Sequence, residues 1–113
     1  TDYVYLHIEA PDEAGHEGNV KLKIQTLEDI DQKVVKPVLE KIVNGKNNVT
    51  IAFLPDHPTP CALRTHTRDA IPFMIYRPNE KGDQVNEYNE QSVKQGCYGT
   101  LNGVEFMQTL VKK

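Results

Sequence analysis

Five residues of this chain belong to types that hold metal ions or move protons, and their spacing groups them. Asp12 and His16 stand four apart, Asp56 and His57 are adjacent, and His66 follows nine residues after His57. Carboxylate oxygens mixed with imidazole nitrogens suit Mn²⁺, Zn²⁺ or Fe²⁺ better than Ca²⁺ or Mg²⁺ alone. A catalytic zinc ion usually takes three protein ligands, so five donors point to two ions sharing one site. Such a pair can activate a nucleophile and clamp a phosphoryl oxygen. Arg64 and Arg68 flank His66 and offer guanidinium groups to a phosphate or a carboxylate. Each motif alone has an ordinary reading, since Asp-His is common in caps and surface turns and His66 alone is a polar loop residue. Their joint position in the fold gives them weight.

The elements that must position them follow from periodicity. Residues 2–10 are rich in β-formers on both faces, as expected of a central strand; His7, inside it, is expected in or next to the core. Pro11 ends that strand, and a turn carries Asp12 to Gly18. Val20, Ile24, Leu27, Ile30, Val34, Val38 and Ile42 recur at steps of three and four, which predicts one long amphipathic helix over 19–44. Pro37 should bend it near Lys33, and Gly45 stands at its expected cap. A second strand is expected over 49–54 and a third over 71–76. Between them, three prolines within residues 55–60 stiffen the loop that carries Asp56 and His57. A short helix is expected over 90–95 and an amphipathic one over 103–111. A strand-helix-strand opening predicts parallel pairing with a right-handed crossover, hence an α/β fold with a parallel-type sheet flanked by helices. Ligand sites in such sheets collect at the carboxyl ends of strands. Both Asp/His pairs end predicted strands there, in loops that proline and glycine rigidify.

The 113 residues, 38% hydrophobic and 26% charged, have the balance of one small folded domain. A formal charge of −3 without a basic cluster argues against nucleic acid or a membrane surface as partner, and no apolar run is long enough to span a bilayer. Cys61 and Cys97 are too few for a disulfide scaffold, so a cytoplasmic setting is expected. Strand character from almost the first residue suggests a piece of a longer protein. Ser92 is the sole serine, and it follows all three metal motifs without a strand-end context.

Ala10-Pro11-Asp12-Glu13-Ala14-Gly15-His16-Glu17-Gly18, then a long helix, then Leu54-Pro55-Asp56-His57-Pro58-Thr59-Pro60 and Arg64-Thr65-His66-Thr67, resembles the C-terminal part of archaeal-type cofactor-independent phosphoglycerate mutases. These belong to the alkaline phosphatase superfamily, and bacterial relatives are sometimes labelled homoserine kinases. The resemblance runs over nearly the whole chain. It implies that Asp12, His16 and His66 hold one metal ion and Asp56 and His57 a second, the pair being Mn, Zn or Mg. It implies a phosphorylated small-molecule substrate and a phosphoserine intermediate. The nucleophilic serine would come from the missing N-terminal part of the parent chain, so residues 1–113 form a single metal-binding fragment with no catalytic nucleophile and are expected to be inactive alone. A homoserine kinase, a phosphopentomutase or a phosphodiesterase would reuse the same ligands, and a non-catalytic metal-binding module remains the reading from another class. A metallo-β-lactamase-like hydrolase fits poorly, because Ala52-Phe53-Leu54-Pro55 stands where its H-x-H belongs.

Overall fold

A computed structural model describes residues 2–112. In chain order these form helices α1 (Ala10–His16) and α2 (Val20–Ile30), a π-helical turn (Asp31–Val35), helix α3 (Lys36–Asn44), strands β1 (Ile51–Phe53) and β2 (Met74–Tyr76), a 3₁₀ turn (Ser92–Gln95) and helix α4 (Gly103–Val111). The described residues gather into two units. The first runs to Lys41 and adds His57–Asp69, and the second joins Ile42–Asp56 to the residues from Ala70 onward.

In the first unit, the expected strand end at Pro11 is instead the start of α1. Proline sits in the first helical turn, where its missing N–H has no partner to lose, and Asp12 and Glu13 beside it face the positive end of the helix. The preceding residues 2–9 are not a strand. A strand apolar on both faces needs neighbours on both sides, and the two strands described here pair with each other. Tyr3, Val4, Tyr5 and Leu6 are therefore exposed, Val4 at 80%, and His7 lies out of any core, 3.9 Å from Glu9.

The helical periodicity over 19–44 is realised as α2, the π turn and α3. Asn19 caps α2 by accepting from the Leu22 amide at 3.0 Å. The bend expected from Pro37 takes the form of the π turn, in which the Lys36 amide reaches back to the Asp31 carbonyl. The proline ring crowds the carbonyl of Lys33 and has no N–H to offer it, and one extra residue in the turn relieves both problems. At the far end the left-handed cap is Lys46 at φ 52, not Gly45. The Asn47 amide reaches the Ile42 carbonyl (3.1 Å) and the Lys46 amide that of Val43 (3.2 Å), completing a Schellman closure.

In the second unit, β1 and β2 fall within the two later predicted strands, but they pair antiparallel, with Ile51 opposite Tyr76 and Phe53 opposite Met74. The α/β class stands and the parallel pairing does not. A parallel pair needs a crossover, usually a helix, and residues 54–73 contain none. The Tyr88 hydroxyl reaches the carbonyls of Pro72 (2.9 Å) and Phe53 (3.2 Å) beyond the pairing. Burial of that oxygen, helped by the charge of Glu90, pushes the phenol up to about 12. Phe73 stacks edge-on to Phe106 of α4, centroids 5.2 Å apart. Asn102 and Glu105 form a capping box at the start of α4, and Arg77 donates to the Thr109 and Lys112 carbonyls at its end.

Burial is sparse. Among the described residues the buried ones are Ala14, Gly15, Thr59 and Pro72. No helix among the described residues is long and apolar enough to cross a membrane.

Ala14 and Thr59 meet where α1 receives the proline-rich loop, and Gly15 makes that contact. A Cβ at Gly15 would lie 2.4 Å from the Thr59 carbonyl oxygen, whereas one at Gly103 would meet nothing. Gly15→Ala should therefore cost about 1–3 kcal/mol through forced displacement, and Gly103→Ala should be neutral or stabilising by up to about 1 kcal/mol. Denaturant unfolding of the two variants checks the contrast; equal behaviour would reject the close approach.

Candidate metal centre

Helical geometry brings Asp12 and His16 together. Four residues apart on α1, they share one face, with His16 Nε2 3.3 Å from Asp12 Oδ2. His66 arrives from the loop that returns over α1. Its Nε2 lies 3.1 Å from Asp12 Oδ1 and 3.1 Å from His16 Nε2. The loop is closed by the Thr67 amide donating to the Pro58 carbonyl (3.2 Å) and tightened by the Leu63 and Arg64 amides, which share the Pro60 carbonyl.

The rings are aimed as well as close. His16 Nδ1 lies 3.0 Å from the Arg64 carbonyl oxygen. A carbonyl only accepts, so Nδ1 carries the proton and Nε2 presents its lone pair to the cluster. Arg64 turns that carbonyl inward by adopting a left-handed backbone, φ 55. Its side chain passes over Gly18, itself at φ 68, where a Cβ would come within 2.5 Å of Arg64 Nε.

Thr59 completes the arrangement. Its Oγ1 donates to Asp12 Oδ1 at 2.7 Å, and its carbonyl accepts from Lys23 Nζ at 2.7 Å. The Thr59 hydrogen bond, with the charges and hydrogen bonding of His16 and His66, holds the Asp12 carboxyl below its ordinary value despite some opposing desolvation. Asp12 therefore stays ionised and offers oxygen lone pairs.

This donor set fits a divalent cation. Ligand atoms of Asp12, His16 and His66 all lie within 4.8 Å of one another. Donors bound at about 2.1 Å with angles between octahedral and tetrahedral stand roughly 3.0–3.4 Å apart, which brackets the 3.1, 3.1 and 3.3 Å separations found here. The cluster is half-exposed, with side-chain exposures of 36%, 42% and 48%, leaving room for a further ligand.

Of the sequence-predicted residues, Asp12, His16 and His66 thus converge. His57 joins their surroundings: its ring lies on that of His66 with centroids 3.6 Å apart, and its Nδ1 is 3.2 Å from Thr59 Oγ1. Asp56, next to it in sequence, belongs by its contacts to the second unit. Arg64 and Arg68 are exposed, and what Arg64 supplies to the centre is its backbone carbonyl. Ser92 lies in the second unit, its amide bonded to Asn89 Oδ1 (2.8 Å) and its hydroxyl 3.4 Å from Glu87. Thr59, Gly15 and the Arg64 carbonyl were not legible as site residues. The three prolines around Thr59 were the only signal that its position is fixed.

A half-exposed carboxylate-imidazole cluster on a helix and a returning loop has the make-up of a metal site, and the family follows from the whole chain. The chain belongs to the Metalloenzyme superfamily, whose family model matches residues 1–113. It is 46% identical over 112 residues to the 2,3-bisphosphoglycerate-independent phosphoglycerate mutase of Methanosarcina mazei, a match covering 98% of this chain and 28% of that protein. It is 39% identical over 110 residues to 2,3-bisphosphoglycerate-independent phosphoglycerate mutase 2 of Methanothermobacter thermautotrophicus, covering 97% of this chain and 27% of that one. The solved structure of the PH0037 protein from Pyrococcus horikoshii superposes with a TM-score of 0.82 at 28% identity, over 96% of this chain and 32% of that one. The chain therefore spans little more than a quarter of the length of these mutases.

Because Asp12 titrates lower when folded than its ordinary value of 3.8, its ionisation stabilises the fold above that value. The contribution is lost as the pH falls through the folded value. The stability difference between the metal-free protein and Asp12→Asn should be fully present at about pH 5 and shrink steadily below about pH 4. Urea unfolding over that range reads it; a difference that stays constant would remove the Thr59-Asp12 hydrogen bond from the account.

Proposed function

We propose that this chain is the C-terminal metal-binding region of a cofactor-independent phosphoglycerate mutase, which interconverts 3-phosphoglycerate and 2-phosphoglycerate by phosphoryl transfer. The observation that carries the reading is the convergence of Asp12, His16 and His66 at ligand-to-ligand spacing. The mutase names carried by relatives matching 97–98% of the chain support the choice within the superfamily.

On this reading Asp12, His16 and His66 hold one divalent ion, and Asp56 and His57 contribute to a second. The mixture of carboxylate and imidazole suits Mn²⁺ or Zn²⁺, with Mg²⁺ as the harder alternative. When bound, the ions supply Lewis acidity to a phosphoryl oxygen and lower the pKa of a coordinated hydroxyl. The chain's own residues do the positioning. Asp12 stays ionised through its hydrogen bond from Thr59, and the Arg64 carbonyl fixes the His16 tautomer. Arg64 and Arg68 are placed as contacts for the substrate's phosphate or carboxylate.

The attacking group lies elsewhere in the parent protein. Transfer through a phosphoserine needs a serine beside the metals, and Ser92, the sole serine, follows all three metal motifs in the chain and is held in a local turn by Asn89. The free thiols of Cys61 and Cys97 fit a reducing cytoplasm.

In the full-length protein, His66→Ala should weaken metal binding by more than about 100-fold, beyond the loss typical of a supporting residue, and abolish most mutase turnover. Metal titration and a coupled phosphoglycerate assay read the two effects. Near-normal turnover would reject the ligand assignment, and saturable metal binding without any turnover in the wild type would leave a non-catalytic metal-binding module. Residues 1–113 alone should not interconvert the phosphoglycerates; if they do, the nucleophile has been misplaced.

A further inference from the structure

We propose that Thr59 is a positioning residue that ties together the ligands of two neighbouring metal ions through its single hydroxyl. The inference rests on the two-metal reading above and assigns a role to a residue outside both ligand sets.

A threonine hydroxyl has one proton to donate and lone pairs to accept. Thr59 Oγ1 stands 2.7 Å from Asp12 Oδ1 and 3.2 Å from His57 Nδ1. The hydroxyl donates its proton to Asp12 Oδ1. The hydroxyl oxygen then accepts from His57, which places the ring proton on Nδ1. A ring with its one proton on Nδ1 carries its lone pair on Nε2, the atom left to bind a metal. One hydroxyl thus hydrogen-bonds a ligand of the first ion and selects the tautomer of a ligand of the second.

The surroundings hold Thr59 in place. It is 4% exposed, its carbonyl accepts from Lys23 Nζ at 2.7 Å, and that carbonyl closes onto the bare backbone of Gly15. The prolines on either side limit backbone motion. The His57 ring is also confined, lying on the His66 ring with centroids 3.6 Å apart. Movement of the hydroxyl would therefore disturb both ligand sets together.

Thr59→Val and Thr59→Ser separate this role from packing. Valine keeps the branched shape and removes both hydrogen bonds; serine keeps the hydroxyl and removes the methyl group. The probe is Mn²⁺ alone, titrated into the full-length protein, with circular dichroism as a check of folding. The wild type should take up two ions. Thr59→Val should weaken both by about 10–100-fold, the usual cost of losing a group that orients a ligand, and Thr59→Ser should stay within a few-fold of the wild type. Nitrogen chemical shifts of the metal-free wild type should show His57 protonated on Nδ1, a readout that requires no variant to fold.

The outcomes are distinct. A wild type that takes up two ions while Thr59→Val binds both as tightly overturns the role of Thr59 and leaves the two-metal reading standing. Weakening of only one ion, or a serine variant worse than the valine variant, overturns the tie between the sites in favour of local packing. A His57 ring protonated on Nε2 overturns it directly. A wild type that binds no Mn²⁺ overturns the two-metal reading and this inference with it.

Discussion

The centre depends on how closely a loop can approach a helix. Asp12 and His16 are adjacent on α1 as soon as the helix forms, but His66 is 50 residues beyond His16 in sequence and reaches them only if the loop carrying it seats on α1. Gly15 permits that seating, because the Thr59 carbonyl occupies the space its side chain would fill. Once the loop is down, the Thr59 hydroxyl reaches Asp12 and the Arg64 carbonyl reaches His16. The convergence of Asp12, His16 and His66 is a consequence of backbone fit before it is a consequence of side-chain choice.

The same contact explains why a polar cluster persists in a unit with little core. Of the four buried residues among those described, Ala14, Gly15 and Thr59 belong to this junction. A buried threonine is tolerated because its hydroxyl and its carbonyl are both satisfied. Along α2 and α3, by contrast, Val20, Ile24, Leu27, Val38 and Val43 remain exposed. Val20, Ile24, Leu27 and Val38 belong to the stripe of an amphipathic helix, and that stripe is exposed at these positions. Order in the first unit is therefore concentrated where the chemistry is.

What the sequence made legible were the features encoded locally. The 3.6-residue stripe placed the long helix, the amphipathic spacing over 103–111 placed α4, and Pro37 located the bend near Lys33 that the π turn realises. Asp12, His16 and His66 were readable among five candidate donors from residue type, the resemblance grouped these three, and the structure brings them together. The strand expected over 2–10 failed because its hydrophobic pattern describes an environment on both faces, and pattern alone does not supply the neighbours. Parallel pairing failed with it, since that inference needed the first strand. Thr59 was invisible for a different reason: its importance lies in two distances, 2.7 and 3.2 Å, and a threonine between two prolines looks the same whether or not those distances exist.

The carbonyl that aims His16 carries a further consequence. It belongs to the backbone of Arg64, at φ 55, so the instruction that fixes a metal ligand is written as a dihedral angle and not as a functional group. Truncating the Arg64 side chain would leave the carbonyl where it is, and an alanine scan would read the position as a matter of charge alone. A β-branched residue there would resist the left-handed backbone and turn the carbonyl away. Asparagine or glycine would preserve it. At this position the tolerance of the protein to change should follow backbone preference and not similarity to arginine.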